Sequence, residues 1–305
     1  MVAGALAFLF PGQGSQEVGM GRDLYDAYPA ARDLYDRADA TLGRGISKLC
    51  FEGPAADLNQ TENSQPAIFL TSIACLTVAL DQGVVDPSPR FAAGHSLGEY
   101  TALAAAGSLS FEDGLRLVET RGRLTQAAAD ATPGSMAAIL GLDEAATLAV
   151  CNEAGAELCN INSPGQLVIG GLKDAVAKAC ELALAAGAKR AIPLEVSGAF
   201  HTSLMQPAVA EFRAALDATP VTPPRIPVVA NDSAQPMSEP DRIREELAFQ
   251  LTHPVRWVQC VEYMSAQGVD TYIEFGSGKV LTGLIKRIAS GATLKNVNGA
   301  GSLTT

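Results

Sequence analysis

The chain has 305 residues, 48% of them hydrophobic and 18% charged, with 29 Gly and 17 Pro. That composition belongs to a globular protein rather than a disordered or fibrous one, and the length allows one large α/β domain or a large domain carrying a smaller insert. A formal net charge of −11 without a Lys/Arg run argues against nucleic acid or an anionic membrane surface as a partner.

Residues 1–10 are apolar but lack the basic start and small-residue cleavage site of a signal peptide, and they read as a buried first strand over Ala5–Phe10. A Gly-rich turn over 11–15 and a helix over 28–41 follow. The apolar stretch 67–80 carries Thr71, Ser72 and Thr77 and is expected to be a core helix over 66–80, too short to span a bilayer. A short strand over 91–93 runs into Gly94-His95-Ser96-Leu97-Gly98 and on into an Ala-rich, helix-favouring segment over 99–106.

Between about 135 and 197 the pattern changes to strand 136–140, helix 143–154, strands 156–161 and 166–169, helix 174–186 and strand 188–196. That βαββαβ order is the split βαβ arrangement of ferredoxin-like domains, with Asp143 and Asp174 expected as helix caps. Residues 129–197 therefore read as an inserted small domain, and 1–128 with 198–305 as the large one. The large part continues with helix 204–218, a Pro-rich linker over 219–227, strand 228–230, helix 242–251, strand 271–275 and helix 280–288. Strands alternating with helices on both sides of the insert imply a mainly parallel, doubly covered sheet. Residues 299–305 read as a loose tail. Cys50, Cys75, Cys151, Cys159, Cys180 and Cys260 form no Cys-x-x-Cys pair, which points to no metal site and to reduced, buried thiols of a cytoplasmic protein.

Strand, sharp Gly-flanked turn and helix is the context of a nucleophile elbow, which would lift the Ser96 hydroxyl above the strand ends and aim the Leu97 N–H at a developing oxyanion. The five-residue pattern alone also occurs in structural Gly-rich turns, so the strand-turn-helix context is what favours the nucleophile. A serine nucleophile needs a base, and there are three histidines. His95 adjoins the serine and would point away; His253, before Pro254, reads as a surface or capping residue. His201 follows the insert where the chain re-enters the large domain, a position that suits a base in an interdomain cleft as well as a structural histidine. A hydrolase triad would take its acid from between serine and histidine in the sequence, but Asp143 and Asp174 are better used as caps, and a dyad is expected. Arg121 falls in an apolar helical stripe with Leu117, Val118, Leu124, Thr125 and Ala128, whereas Arg116, Glu119 and Arg123 lie opposite. A buried arginine there needs an anionic partner, and a substrate carboxylate suits its bidentate geometry.

Taken in order, Phe10-Pro-Gly-Gln-Gly-Ser-Gln16, Gly94-His-Ser-Leu-Gly-Glu99, Arg121-Gly, Asn160-Ile-Asn162, Gly198-Ala-Phe-His201, Gln250-Leu with Pro254-Val-Arg-Trp257, and Glu274-Phe-Gly-Ser-Gly278 resemble malonyl-coenzyme A:acyl carrier protein transacylases, including the acyltransferase domains of polyketide synthases. The resemblance spans nearly the whole chain. It implies an α/β hydrolase-like large domain with a ferredoxin-like insert, Ser96 as nucleophile, His201 as general base and acid, and Arg121 as holder of the malonyl carboxylate. It further implies an oxyanion hole of the Gln13 and Leu97 N–H groups, the Gln250 main-chain carbonyl as the orienter of His201, and Phe200 as the malonyl-selecting residue.

No bound metal or redox cofactor is implied. Malonyl-coenzyme A is the implied substrate and the phosphopantetheine thiol of an acyl carrier protein the acceptor, supplying fatty-acid or polyketide synthesis. Carrier proteins are usually acidic, so docking on this acidic chain would need a local basic surface, for which Lys189, Arg190, Lys286 and Arg287 are candidates. Nothing in the sequence demands more than a monomer. Two other readings stay open: a thioesterase using the same Ser96 and His201, and a non-catalytic subunit that only binds acyl-carrier components.

Overall fold

The strand expected at Ala5–Phe10 forms, and both of its faces are apolar: Phe8 and Phe10 enter one hydrophobic cluster, Ala7 and Leu9 another. A strand buried on both sides needs helices on both sides of its sheet. The computed structural model describes residues 5–303, and in it that strand, β1, is followed by β2 (Phe91–Gly94), β3 (Gly134–Leu140), β4 (Glu157–Ser163), β5 (Gln166–Leu172), β6 (Arg190–Pro193), β7 (Val228–Val229), β8 (Pro236–Met237), β9 (Val269–Phe275) and β10 (Thr293–Val297). The large sheet has the order β10-β9-β1-β2-β7-β8 and is parallel except for β8. Helices Thr61–Asp81, Phe111–Ala131 and Gln206–Ala218 cover one face; Trp257–Ala266, which contributes the fully buried Trp257, and Val280–Ile288 cover the other.

The small sheet, β4-β5-β3-β6, is antiparallel, and with helices Glu144–Ala154 and Lys173–Ala185 it gives the expected βαββαβ order. Alternation again sorts its residues. Ala137, Ile139 and Ile169 pack in the cluster shared with the two helices, while Met136 and Val168 cluster on the opposite side with Ala199 and Phe200. Edge strand β4 is stitched to the large part by main-chain bonds, Ile161 N–H to Val255 O at 2.9 Å and Val255 N–H to Cys159 O at 2.9 Å. The face of the small sheet that carries Met136 and Val168 is thereby held over the end of the large sheet.

Several expectations need correction. The helix expected at 66–80 runs from Thr61 to Asp81, so it is long and apolar enough to cross a membrane, but it lies buried within the protein. Pro66 is inside the helix, not at its start. The Glu62 carbonyl, which Pro66 cannot bond, receives Arg44 Nη2 at 3.2 Å. The helix expected at 28–41 forms as Pro29–Leu42, and a separate, unexpected helix, Arg22–Ala27, precedes it; the two are divided at Tyr28, which is extended before proline. Asp143 caps its helix through Ala146 N–H at 2.8 Å, but Asp174 caps nothing: β5 runs directly into a helix starting at Lys173, and Asp174 stands in its first turn. A junction at 128/129 would fall inside the Phe111–Ala131 helix, which its alanines carry on to Ala131. Helices Ile46–Glu52 and Trp257–Ala266 and strands β8 and β10 were not expected at all.

The tail is not loose over the described residues. Ala300–Leu303 forms a 3₁₀ turn, Ala300 N–H donates to Asp23 at 2.6 Å, and Leu303 is buried in the main core. Leu303→Ala is expected to lower unfolding stability by about 2 kcal/mol, the low end for a buried leucine, in chemical denaturation followed by circular dichroism; an unchanged midpoint would mean the tail is unattached after all.

Candidate active site

Phe10 and Gly94 are register partners at the C-terminal ends of β1 and β2, so the loops after these strands leave the sheet side by side. From β1 the sheet extends one way to β2 and the other way to β9, and such a reversal opens a crevice at the strand ends. The Ser96 turn sits there. A Cβ on Gly94 would lie 1.9 Å from the Gly98 backbone, and one on Gly98 would lie 2.0 Å from the Phe10 carbonyl oxygen, which is why both positions are glycine. Ser96 itself takes φ 52, in the left-handed region. Such strain in a non-glycine residue persists only where its surroundings hold it.

His201 also has a positive φ of 61, and the chain beyond it is tied to the small sheet: Glu157 on β4 accepts the Ser203 N–H and hydroxyl, the latter at 2.6 Å. His201 Nε2 lies 2.7 Å from Ser96 Oγ. Its Nδ1 lies 2.7 Å from the Gln250 carbonyl oxygen and 3.2 Å from that of His253. Carbonyls only accept, so Nδ1 carries the proton and Nε2 is free to receive one from the serine. Burial pushes the imidazole down to about 3, with the Arg121 charge adding to the effect, so the ring is neutral near pH 7. His253, exposed, accepts or donates only locally, its ring against the Phe249 carbonyl at 2.8 Å, and His95 turns to Asn162 Oδ1 at 2.8 Å.

Arg121 is buried, as its place in the apolar stripe implied. Its Nη1 donates to Gln65 Oε1 at 2.8 Å, and its Nη2 donates to Ser96 Oγ and Gln250 Oε1, each at 3.0 Å. The guanidinium stands over the Tyr100 ring at 5.4 Å. Its Nε is buried without a partner. No carboxylate among the described residues bonds to it. The Glu99 carboxyl lies behind Gln250, which donates to it, and burial together with the Glu246 charge holds Glu99 well above the usual carboxylate range. Arg116, Glu119 and Arg123 instead pair at the surface with Asp113, Arg44 and Glu211.

Ser96, His201 and Arg121 share a cavity of about 450 Å³ with Gln13 and Phe200. The N–H groups of Gln13 and Leu97 have no acceptor among the described residues, whereas the Ser96 N–H is taken by Asn231 Oδ1 at 2.7 Å. Lys189, Arg190, Lys286 and Arg287 lie outside the cavity, all exposed. Gln65, Asn231 and the side chain of Gln250 were missed as site residues. Gln65 had a faint signal as a polar residue leading into an apolar helix; Asn231, in a loop after a two-residue strand, had none. All six cysteines are free thiols, five of them buried, and no group of three or more His, Cys, Asp or Glu among the described residues could hold a metal ion. The arrangement can activate a hydroxyl, stabilise an oxyanion and hold an anion on a guanidinium whose Nη2 lies 3.0 Å from the hydroxyl.

The family model for the acyl transferase domain matches residues 7–303. A malonyl CoA-acyl carrier protein transacylase of Bacillus subtilis (strain 168) is 49% identical over 288 residues, covering 93% of this chain and 90% of the relative. The crystal structure of an acyl carrier protein S-malonyltransferase from Vibrio cholerae superposes with a TM-score of 0.94 at 45% identity, covering 98% of both chains. A malonyl-transacylase solved in complex with its type II PKS acyl-carrier protein gives 0.94 at 41% identity, covering 98% of this chain and 97% of that one. With the match running from the first strand to the last turn, the chain belongs to the acyl transferase domain family.

Proposed function

We propose that this protein transfers a malonyl group from malonyl-coenzyme A to the phosphopantetheine thiol of an acyl carrier protein, through a malonyl ester on Ser96. The observation that carries this reading is Arg121: a buried cation with an unpartnered Nε, in hydrogen-bonding reach of the serine hydroxyl and bonded to no carboxylate among the described residues. An acyl group ending in a carboxylate supplies the missing charge where a plain acyl group would not.

His201 Nε2 takes the Ser96 proton as Oγ attacks the thioester carbonyl. The tetrahedral oxyanion forms against the Gln13 and Leu97 N–H groups, and collapse expels the coenzyme A thiolate, which His201 protonates. In the second half the carrier's thiol gives its proton to His201, attacks the ester and leaves as the malonyl thioester, with the proton returning to Ser96. The Gln250 carbonyl keeps the imidazole in the required tautomer throughout, the role a triad acid would otherwise fill. Phe200, half-buried at the cavity wall, supplies bulk against an α-methyl branch, a discrimination of modest size for one methyl group.

For the carrier protein, the two basic pairs converge on one place. Arg190 and Gln166 flank Leu140 across the small sheet, Arg287 Nη1 donates to Gln166 Oε1 at 2.8 Å, and Gln166 lines the cavity. Lys189 and Lys286 adjoin them in sequence, giving a basic rim to an acidic protein. The supply of fatty-acid synthesis and a cytoplasmic setting complete the reading, the latter supported by six unpaired thiols.

Mixed with malonyl-coenzyme A, the protein should gain the mass of one malonyl group, lose it to added carrier protein, and gain none as Ser96→Ala. Failure to acquire the group would sink the reading, and rapid release of free malonate without transfer would favour a thioesterase. Charge reversal at the four basic residues should slow the transfer step about tenfold or more and leave loading intact; equal damage to both steps would remove the docking assignment.

Because the folded imidazole is depressed, His201 stays neutral as pH falls through its ordinary range near 6.5 and gains a proton only towards about 3. The kcat/KM for malonyl loading should accordingly be flat from pH 8 to about 5.5. A fall centred near 6.5 would contradict a buried, neutral base.

A further inference from the structure

Asn231 is fully buried beneath the Ser96 turn, and the reaction as described gives it nothing to do. Its Oδ1 accepts the Ser96 N–H at 2.7 Å and its Nδ2 donates to the Gly94 carbonyl at 2.7 Å. A single planar amide therefore joins the entry of the turn to its apex. The amide is itself held at both ends of its own residue: the Asn231 N–H donates to Glu99 Oε1 at 2.9 Å, and its carbonyl accepts the Arg256 N–H at 2.9 Å. Gln250 Nε2, which donates to the Ser96 carbonyl at 2.9 Å, approaches the same Oδ1 at 3.4 Å.

Ser96 at φ 52 is in a conformation that L residues avoid, and its inward-facing N–H would be a buried orphan without an acceptor. The bond to Asn231 satisfies that donor only while the left-handed turn is kept, and it leaves the Leu97 N–H as the turn's free donor. We propose that Asn231 is a positioning residue for the nucleophile, closing the Gly94–Ser96 turn so that the hydroxyl stays 2.7 Å from His201 Nε2. This inference rests on the malonyl-transfer reading of the site. Because the side chain lies behind the turn and does not line the cavity, its loss acts on the rate of acyl-enzyme formation and not on the binding of malonyl-coenzyme A.

The test is single-turnover malonyl loading of the wild-type protein, Asn231→Ala and Asn231→Asp, followed by intact mass over a range of malonyl-coenzyme A concentrations and pH, with circular dichroism to verify folding. Asn231→Ala should lose on the order of a hundredfold in saturating rate, the cost of a misplaced reacting atom, with half-saturation changed by less than about twofold. Asn231→Asp is the conservative variant. Protonated, its carboxyl repeats the asparagine pattern, accepting from Ser96 N–H and donating to the Gly94 carbonyl; ionised, it loses the donor and adds a second acid beside Glu99. Glu99, Asp232, Glu246, Cys260, His95, Arg121, Arg256 and His201, the other titratable and charged groups of this region, are common to all three proteins.

The Asn231→Asp rate relative to wild type should therefore climb about tenfold or more between pH 8 and pH 6. A folded Asn231→Ala that loads at the wild-type rate would overturn the proposal, as would a loss expressed in half-saturation alone. A flat Asn231→Asp ratio would do the same, and this arm decides the matter if Asn231→Ala does not fold. Wild-type protein that failed to load malonyl would sink the malonyl-transfer reading itself, whereas normal wild-type loading with unimpaired variants sinks only the role of Asn231.

Discussion

A guanidinium buried next to a serine hydroxyl, bonded to neutral groups and to no carboxylate among the described residues, is the constraint that shapes this molecule. Taking such a charge out of water costs several kcal/mol unless hydrogen bonds and a counter-charge compensate. Gln65, Gln250 and the Tyr100 face supply part of the compensation, and each comes from a different helix or turn that the surrounding core holds in place. The long buried helix Thr61–Asp81 carries Gln65, and its neighbour Phe111–Ala131 carries Arg121. What these groups leave unmet, the charge itself and the Nε donor, is what a substrate carboxylate would complete in the proposed reaction.

The same polar cluster binds Ser96, His201 and Arg121 to one another. Gln250 serves all three: its carbonyl orients His201, its Oε1 accepts from Arg121, and its Nε2 donates to the Ser96 carbonyl and to Glu99. Ser96 and His201 both occupy the left-handed region, and each is held from a distant part of the chain, Ser96 by Asn231 and the segment after His201 by Glu157. Two residues strained in the same sense, facing each other at 2.7 Å, are what a preorganised proton transfer requires.

The sequence made the local features legible and left the distant ones dark. The βαββαβ order of the insert, β1 and the Val280–Ile288 helix follow from short-range periodicity, and their bounds were read to within a few residues. Arg121 stood out because an apolar stripe makes a charge conspicuous. Misreadings arose where tertiary contacts override local signals: Pro66 looks like a helix start until Arg44 takes the carbonyl it frees, and the final residues look loose until Leu303 reaches the core. Strand β10, at the sheet edge and partly polar, has little alternation to betray it. Asn231 could not be found by pattern at all, since its importance lies wholly in what a residue 135 positions away needs.

The central claim is that Arg121 stands where it does to receive a carboxylate, and the most direct measurement is the rate of Ser96 loading from malonyl-coenzyme A and from acetyl-coenzyme A in the wild-type protein and in Arg121→Ala. Losing a buried, charge-assisted contact predicts a fall in malonyl loading of about a hundredfold or more, with acetyl loading reduced far less, so that the malonyl preference collapses. Equal losses for the two substrates would contradict it and leave Arg121 a structural cation.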